Sequence, residues 1–131
     1  MNDPLFTKID CLMLKVDDLD VALRFYSEAL GHPVLWRTRE AVGLRMPETD
    51  AELVLHTNLG PEVDLLVANV DEALTRFNGA GGETITGPFD IQIGRCAVVR
   101  DPFGNAIVML DQTKGHFVTN AAGEVIRVEK T

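Results

Sequence analysis

From Ile9 to Val16 the chain is mostly apolar and runs into Asp17-Asp18, after which Leu19, Ala22, Leu23, Tyr26 and Leu30 recur at i, i+3, i+4, i+7 and i+11. That period lays one apolar stripe along an α-helix. The aspartate oxygens can cap its free N–H groups, and Gly31 supplies a left-handed stop. The same order then returns. Val63 to Val67 reads as a strand and Asn69 as a cap, while Val70, Ala73, Leu74, Phe77 and Ala80 form a stripe ending at Gly81-Gly82. At an offset of 51 residues, Asp18-Leu19-Asp20-Val21-Ala22-Leu23 falls on Asn69-Val70-Asp71-Glu72-Ala73-Leu74, and Gly31 on Gly82. Internal repetition decides an architecture before any single motif does.

Three short strands are expected after each helix. The first half offers Val34 to Arg39, Ala41 to Met46 and Glu52 to Thr57; the second offers Glu83 to Thr86, Arg95 to Arg100 and Asn105 to Leu110. Asp101-Pro102-Phe103-Gly104-Asn105 suits a tight turn between the last two. The expectation is an α+β fold of two tandem βαβββ modules, about 8–58 and 62–112, in a single domain. One helix covers one face of a four-stranded sheet. With the helices outside, the two modules would form a curved mixed β-sheet trough, the natural place for a ligand. Phe117 to Thr119 and Glu124 to Val128, joined at Asn120-Ala121-Ala122-Gly123, predict an extra C-terminal hairpin at about 116–129. A sheet extension is favoured for it over a flap or a dimer contact.

Composition narrows the function classes. The chain has 131 residues and a formal net charge of −8, which repels phosphate backbones and argues against nucleic-acid binding. No apolar run approaches the roughly 20 residues that a membrane-spanning helix needs. The start, Met1-Asn2-Asp3-Pro4, lacks the basic and apolar regions of a signal peptide, so a cytoplasmic protein is expected. Cys11 and Cys96 make no metal or redox motif with each other and read as two buried thiols rather than a disulfide.

Leu14-Lys15-Val16-Asp17-Asp18-Leu19-Asp20, with Phe25-Tyr26-Ser27-Glu28-Ala29-Leu30-Gly31, resembles the opening of the vicinal-oxygen-chelate superfamily. That group includes glyoxalase I, extradiol dioxygenases, fosfomycin-resistance enzymes and bleomycin-resistance proteins. Val67-Ala68-Asn69-Val70-Asp71-Glu72-Ala73-Leu74 and Asp101-Pro102-Phe103-Gly104-Asn105 are similar to its second half, so the likeness covers roughly residues 8–112. Metal-using members hold a divalent ion with His, Gln and Glu. The resemblance implies that the corresponding positions here are Cys11 on the first strand, the region of Val54 on the fourth, Glu62 five residues before Val67, and Val108 in the last strand. Val54 and Val108 have no lone pair to give, and a catalytic ion normally needs about three protein ligands. A trough without the usual metal is therefore the expectation.

The alternative is a divalent ion (Ni, Zn, Fe or Mn) on a variant set of Cys11, His56 and Glu62, since His56 shares a strand face with Val54. It would make the chain a metal-dependent lyase, isomerase or dioxygenase. A third reading is a metal-free enzyme with Glu62 or His56 as general base. The favoured function is binding of a small organic molecule, by the bleomycin-resistance analogy. Cys11, Met13, Trp36, His56, Glu62, Gln92, Val108 and Leu110 are the candidate lining, and the acidity would suit a cationic ligand. Asp90, Gln92 and Arg95 lie in segment 87–95, expected to be a loop at the trough mouth. The resemblance also implies a homodimer.

Overall fold

A computed structural model describes residues 3–130. They divide into two units: residues 10–63 with 118–127, and residues 3–9, 64–117 and 128–130.

The first unit takes most of β1 (Lys8–Lys15), then α1 (Leu19–Leu23) running on as a π-helical segment (Arg24–Ala29), β2 (Val34–Arg37), β3 (Ala41–Leu44) and β4 (Glu52–His56). Its strand order is β2-β3-β4-β1, antiparallel except for the parallel β4/β1 pair. Asp18 caps α1, its side chain accepting the Val21 N–H at 3.1 Å. Leu19 and Ala22 meet Val42, Leu44, Leu53 and Leu55 in one core cluster. Each fully buried side chain there, such as Leu44 or Leu55, contributes about 1.5–3 kcal/mol.

Leu30 departs from the expected stripe and is 52% exposed. The cause is the π-helical segment, in which Leu30 N–H bonds back to Phe25 O, five residues away. The wider turn rotates later positions off the buried face. Gly31, at φ +85°, ends the helix as expected.

The second unit holds the rest of β5 (Glu62–Leu66), α2 (Val70–Gly79), β6 (Glu83–Asp90), β7 (Arg95–Arg100) and β8 (Ala106–Leu110), in the order β5-β8-β7-β6. The β5/β8 pair is parallel and the other two are antiparallel. Asn69 caps α2 through the Glu72 N–H. The stripe Val70, Ala73 and Leu74 is buried against Val67, Ala97, Val99 and Met109, with Phe77 packed at the edge. Ala80 lies beyond the helix end and is exposed.

The chain therefore has the α+β fold expected, with eight strands of mixed pairing, two helices and a C-terminal hairpin. Two local expectations need correction. Segment 87–95 is a loop only over residues 91–94: β6 continues through Gly87-Pro88 to Asp90, which pairs with Arg95. Register shifts flank Thr86, and β6 stands last in its strand order, where a bulge tolerates the missing proline N–H. The hairpin, β9 (His116–Thr119) and β10 (Val125–Glu129), is a two-stranded sheet of its own rather than an extension. Within the first unit its tip meets β2, where Arg37 N–H donates to Gly123 O at 2.7 Å.

Candidate functional site

Side chains alternate across a strand, so each unit has one sheet face packed on its helix and one facing away. In the first unit the face away from α1 gathers Cys11, Ala41 and Val54, with Met13 and Trp36 packed against them. Three of the candidate lining residues, Cys11, Met13 and Trp36, thus lie together with Val54. Trp36 lies over Gly43, where any Cβ would overlap its indole. Its N–H donates to the Glu52 carboxylate at 2.6 Å, a short charge-assisted bond that fixes the ring.

Strand pairing sets the register that the sequence leaves open. Across β1 and β4, Cys11 stands level with Glu52, Met13 with Val54 and Lys15 with His56. The fourth-strand residue beside Cys11 is therefore Glu52, two positions before Val54. His56 lies four residues further along, about 13 Å at the usual strand rise. The structure does not bring Cys11 and His56 together, so the set of Cys11, His56 and Glu62 is not assembled. His56 Nδ1 also accepts the backbone N–H groups of Asn58 and Leu59, at 2.9 and 3.0 Å. That engagement places the proton of the neutral ring on Nε2. Glu62 opens β5 and is half-buried.

In the second unit the face away from α2 carries the row Asp64, Val108 and Val98, and beside it the row Leu66, Leu110 and Cys96. Val108 and Leu110 are thus neighbours on one surface. Asp64, only 8% exposed, is the acidic residue of that row. Cys96 and Cys11 are both buried thiols.

Gln92 is exposed at the β6–β7 turn. Asp90 and Arg95 are committed to each other at 3.2 Å, with Lys114 on Asp90 at 3.0 Å and Asp71 on Arg95 at 3.3 Å. The Lys114 hydrogen bond, then that of Arg95, holds the Asp90 carboxyl below its usual range. Asp90 in turn raises the Arg95 guanidinium.

Asp111, directly after β8, is 1% exposed. Its carboxylate accepts the N–H groups of Val70, Arg95 and Thr113 and the Thr113 hydroxyl. Burial pushes this carboxyl up, but the hydrogen bonds together outweigh burial and hold it below the ordinary value. Asp111 thus ties the start of α2 to the start of β7. Glu52 and Asp64 were within reach of the sequence, each two residues from an expected position. Asp111 carries no local signal.

These features define a protein with a repeated strand-helix-strand unit whose helix-free sheet faces carry the candidate groups. The model of the glyoxalase/bleomycin resistance protein/dioxygenase superfamily matches residues 8–109, and the chain belongs to that superfamily. Solved structures agree in fold. Methylmalonyl-CoA epimerase from Mycobacterium tuberculosis superposes with a TM-score of 0.70 at 19% identity, over 85% of this chain and 91% of that one. A Streptomyces coelicolor methylmalonyl-CoA epimerase variant in complex with 2-nitronate-propionyl-CoA gives 0.68 at 16% identity, over 82% and 98%. A methylmalonyl-CoA epimerase in complex with methylmalonyl-CoA and NH4+ gives 0.68 at 16%, over 82% and 95%. No curated protein sequence matches the chain.

Proposed function

We propose that the chain binds a small organic molecule on the helix-free face that carries Trp36, without a resident divalent ion. The Trp36–Glu52 pair is the observation that carries this reading. An indole pinned by its N–H beside Cys11, Met13 and Val54 makes a flat apolar surface with a carboxylate at its edge. Such a surface suits a planar ligand bearing an N–H or cationic group.

The side chains at the family's four usual ligand positions support metal-free binding. Two of those four carry valine, and the remaining Cys11 and Glu62 fall short of the three ligands a catalytic ion normally takes. Val54 and Val108 offer nothing. Occupancy by acyl-CoA molecules in the similar epimerases supports a small organic ligand for the fold. A homodimer belongs to the same reading, on the family resemblance, and sedimentation of the purified chain checks it.

The test pairs elemental analysis of protein purified without chelators with titration of Trp36 fluorescence by planar aromatic amines. No stoichiometric metal, with saturable quenching weakened about tenfold or more in Glu52→Gln, is the expected result; tenfold corresponds to about 1.4 kcal/mol. About one equivalent of Ni, Zn, Fe or Mn per chain would replace the binding protein by a metal-dependent lyase, isomerase or dioxygenase.

A further inference from the structure

The turn that leaves β4 is fastened through one ring nitrogen. His56 Nδ1 accepts the N–H of Asn58 at 2.9 Å and that of Leu59 at 3.0 Å. Two backbone donors converge on a single lone pair, which exists only while the imidazole is neutral with its proton on Nε2. A second proton on Nδ1 turns the acceptor into a donor that faces two donors. Both amides then lose their partner, at a cost comparable to two hydrogen bonds.

Segment 57–61 has few other anchors. Thr57 holds Glu40 O through its N–H at 2.9 Å and its hydroxyl at 3.2 Å. Leu59 is 51% exposed and adds little packing. Gly60, at φ +122°, passes close to β1, where a Cβ would come 2.8 Å from Lys15 N. Past Gly60 the chain enters β5 at Glu62.

We infer that His56 is a protonation switch for segment 57–61, stapled while the ring is neutral and released when the ring takes a second proton. The charged groups on neighbouring elements are Lys15, paired with His56 on β1, Glu40, which precedes its partner Ala41 on β3, and Glu62 at the start of β5. Ammonium and carboxylate groups ordinarily keep their charges between about pH 5 and 8, whereas an imidazole changes its own there. The switch therefore governs how firmly the lead into Glu62 is held, and it stands apart from the ligand reading above.

Solution NMR of the intact chain tests it. Long-range ¹H–¹⁵N correlation at about pH 8 should show the His56 proton on Nε2. Down to about pH 5, the Asn58 and Leu59 amide signals should shift along the ring's own titration curve. Their hydrogen exchange, corrected for intrinsic pH dependence, should rise about tenfold or more, while the Val70 amide stays protected. In His56→Phe the two amides should exchange fast at every pH. A proton on Nδ1 at pH 8, or a ring titration that leaves both amides unmoved, overturns the switch even in the unmodified protein.

Discussion

The Trp36 indole covers Gly43 while its N–H is held by the Glu52 carboxylate at 2.6 Å. The ring therefore has one available seat, and glycine is what leaves room for it. Gly43→Ala should push the indole off its acceptor, at about 1–3 kcal/mol for forced overpacking. Chemical denaturation measures the loss, and Trp36 emission should move toward that of a hydrated indole. A Gly43→Ala chain as stable as the parent would show that the ring is not seated there.

Asp111 should be the most costly single carboxylate to remove. Its side chain satisfies the N–H groups of Val70, Arg95 and Thr113 and the Thr113 hydroxyl, all from a buried position. Stranding these donors in Asp111→Ala should cost about 3 kcal/mol or more. Asp111→Asn keeps one acceptor oxygen and should fall between. Gly94 is tied to the same residue, because a Cβ there would overlap Asp111, so Gly94→Ala should destabilise the chain as well. Urea midpoints rank the three variants.

The acid limb of stability follows from the same group. The folded state holds the Asp111 carboxyl below the ordinary aspartate value of 3.8, so near that pH the unfolded chain binds more protons than the folded one. The contribution is complete above about pH 4 and is lost as pH falls through the lowered folded value. Asp90 acts with the same sign through Lys114 and Arg95, but it is exposed and screened by salt. Denaturation midpoints between pH 6 and 2.5 should therefore fall toward acid, less steeply in Asp111→Asn. Added salt should erase the Asp90 part and spare that of Asp111.

How much of this was legible depended on whether the signal was local. The α2 stripe of Val70, Ala73 and Leu74 repeats every three or four residues, and burial follows that period. The α1 stripe failed only at Leu30, because a π-helical turn leaves no mark in a hydrophobic pattern. Gly87-Pro88 read as a chain breaker since the sequence does not reveal which strand is an edge. On the candidate face, alternation alone made Glu52, Val54 and His56 equivalent. Pairing across β1 was needed to set Glu52 beside Cys11 and His56 beside Lys15. Besides the nearby Thr113, Asp111 serves partners 41 and 16 residues away, and that long-range role leaves no mark in the sequence around it.

The turn at Asp101-Pro102-Phe103-Gly104-Asn105 separates exposure from importance. Phe103 is 87% exposed, the most exposed of the large hydrophobic side chains among the described residues, so Phe103→Ser should change stability by no more than about 0.5 kcal/mol. Asp101 beside it organises the turn. It accepts the Phe103 and Asn105 N–H groups at 2.9 Å and the Asn105 amide at 2.8 Å. The Asn105 side chain does most to hold its carboxyl below the usual range. Asp101→Ala should therefore lower the denaturation midpoint more than Phe103→Ser does, because it removes hydrogen bonds that water only partly replaces. It should also speed hydrogen exchange at Phe103 and Asn105 ahead of the β7 and β8 amides. Equal denaturation midpoints for Asp101→Ala and Phe103→Ser would mean that the turn is held by the glycine and proline alone.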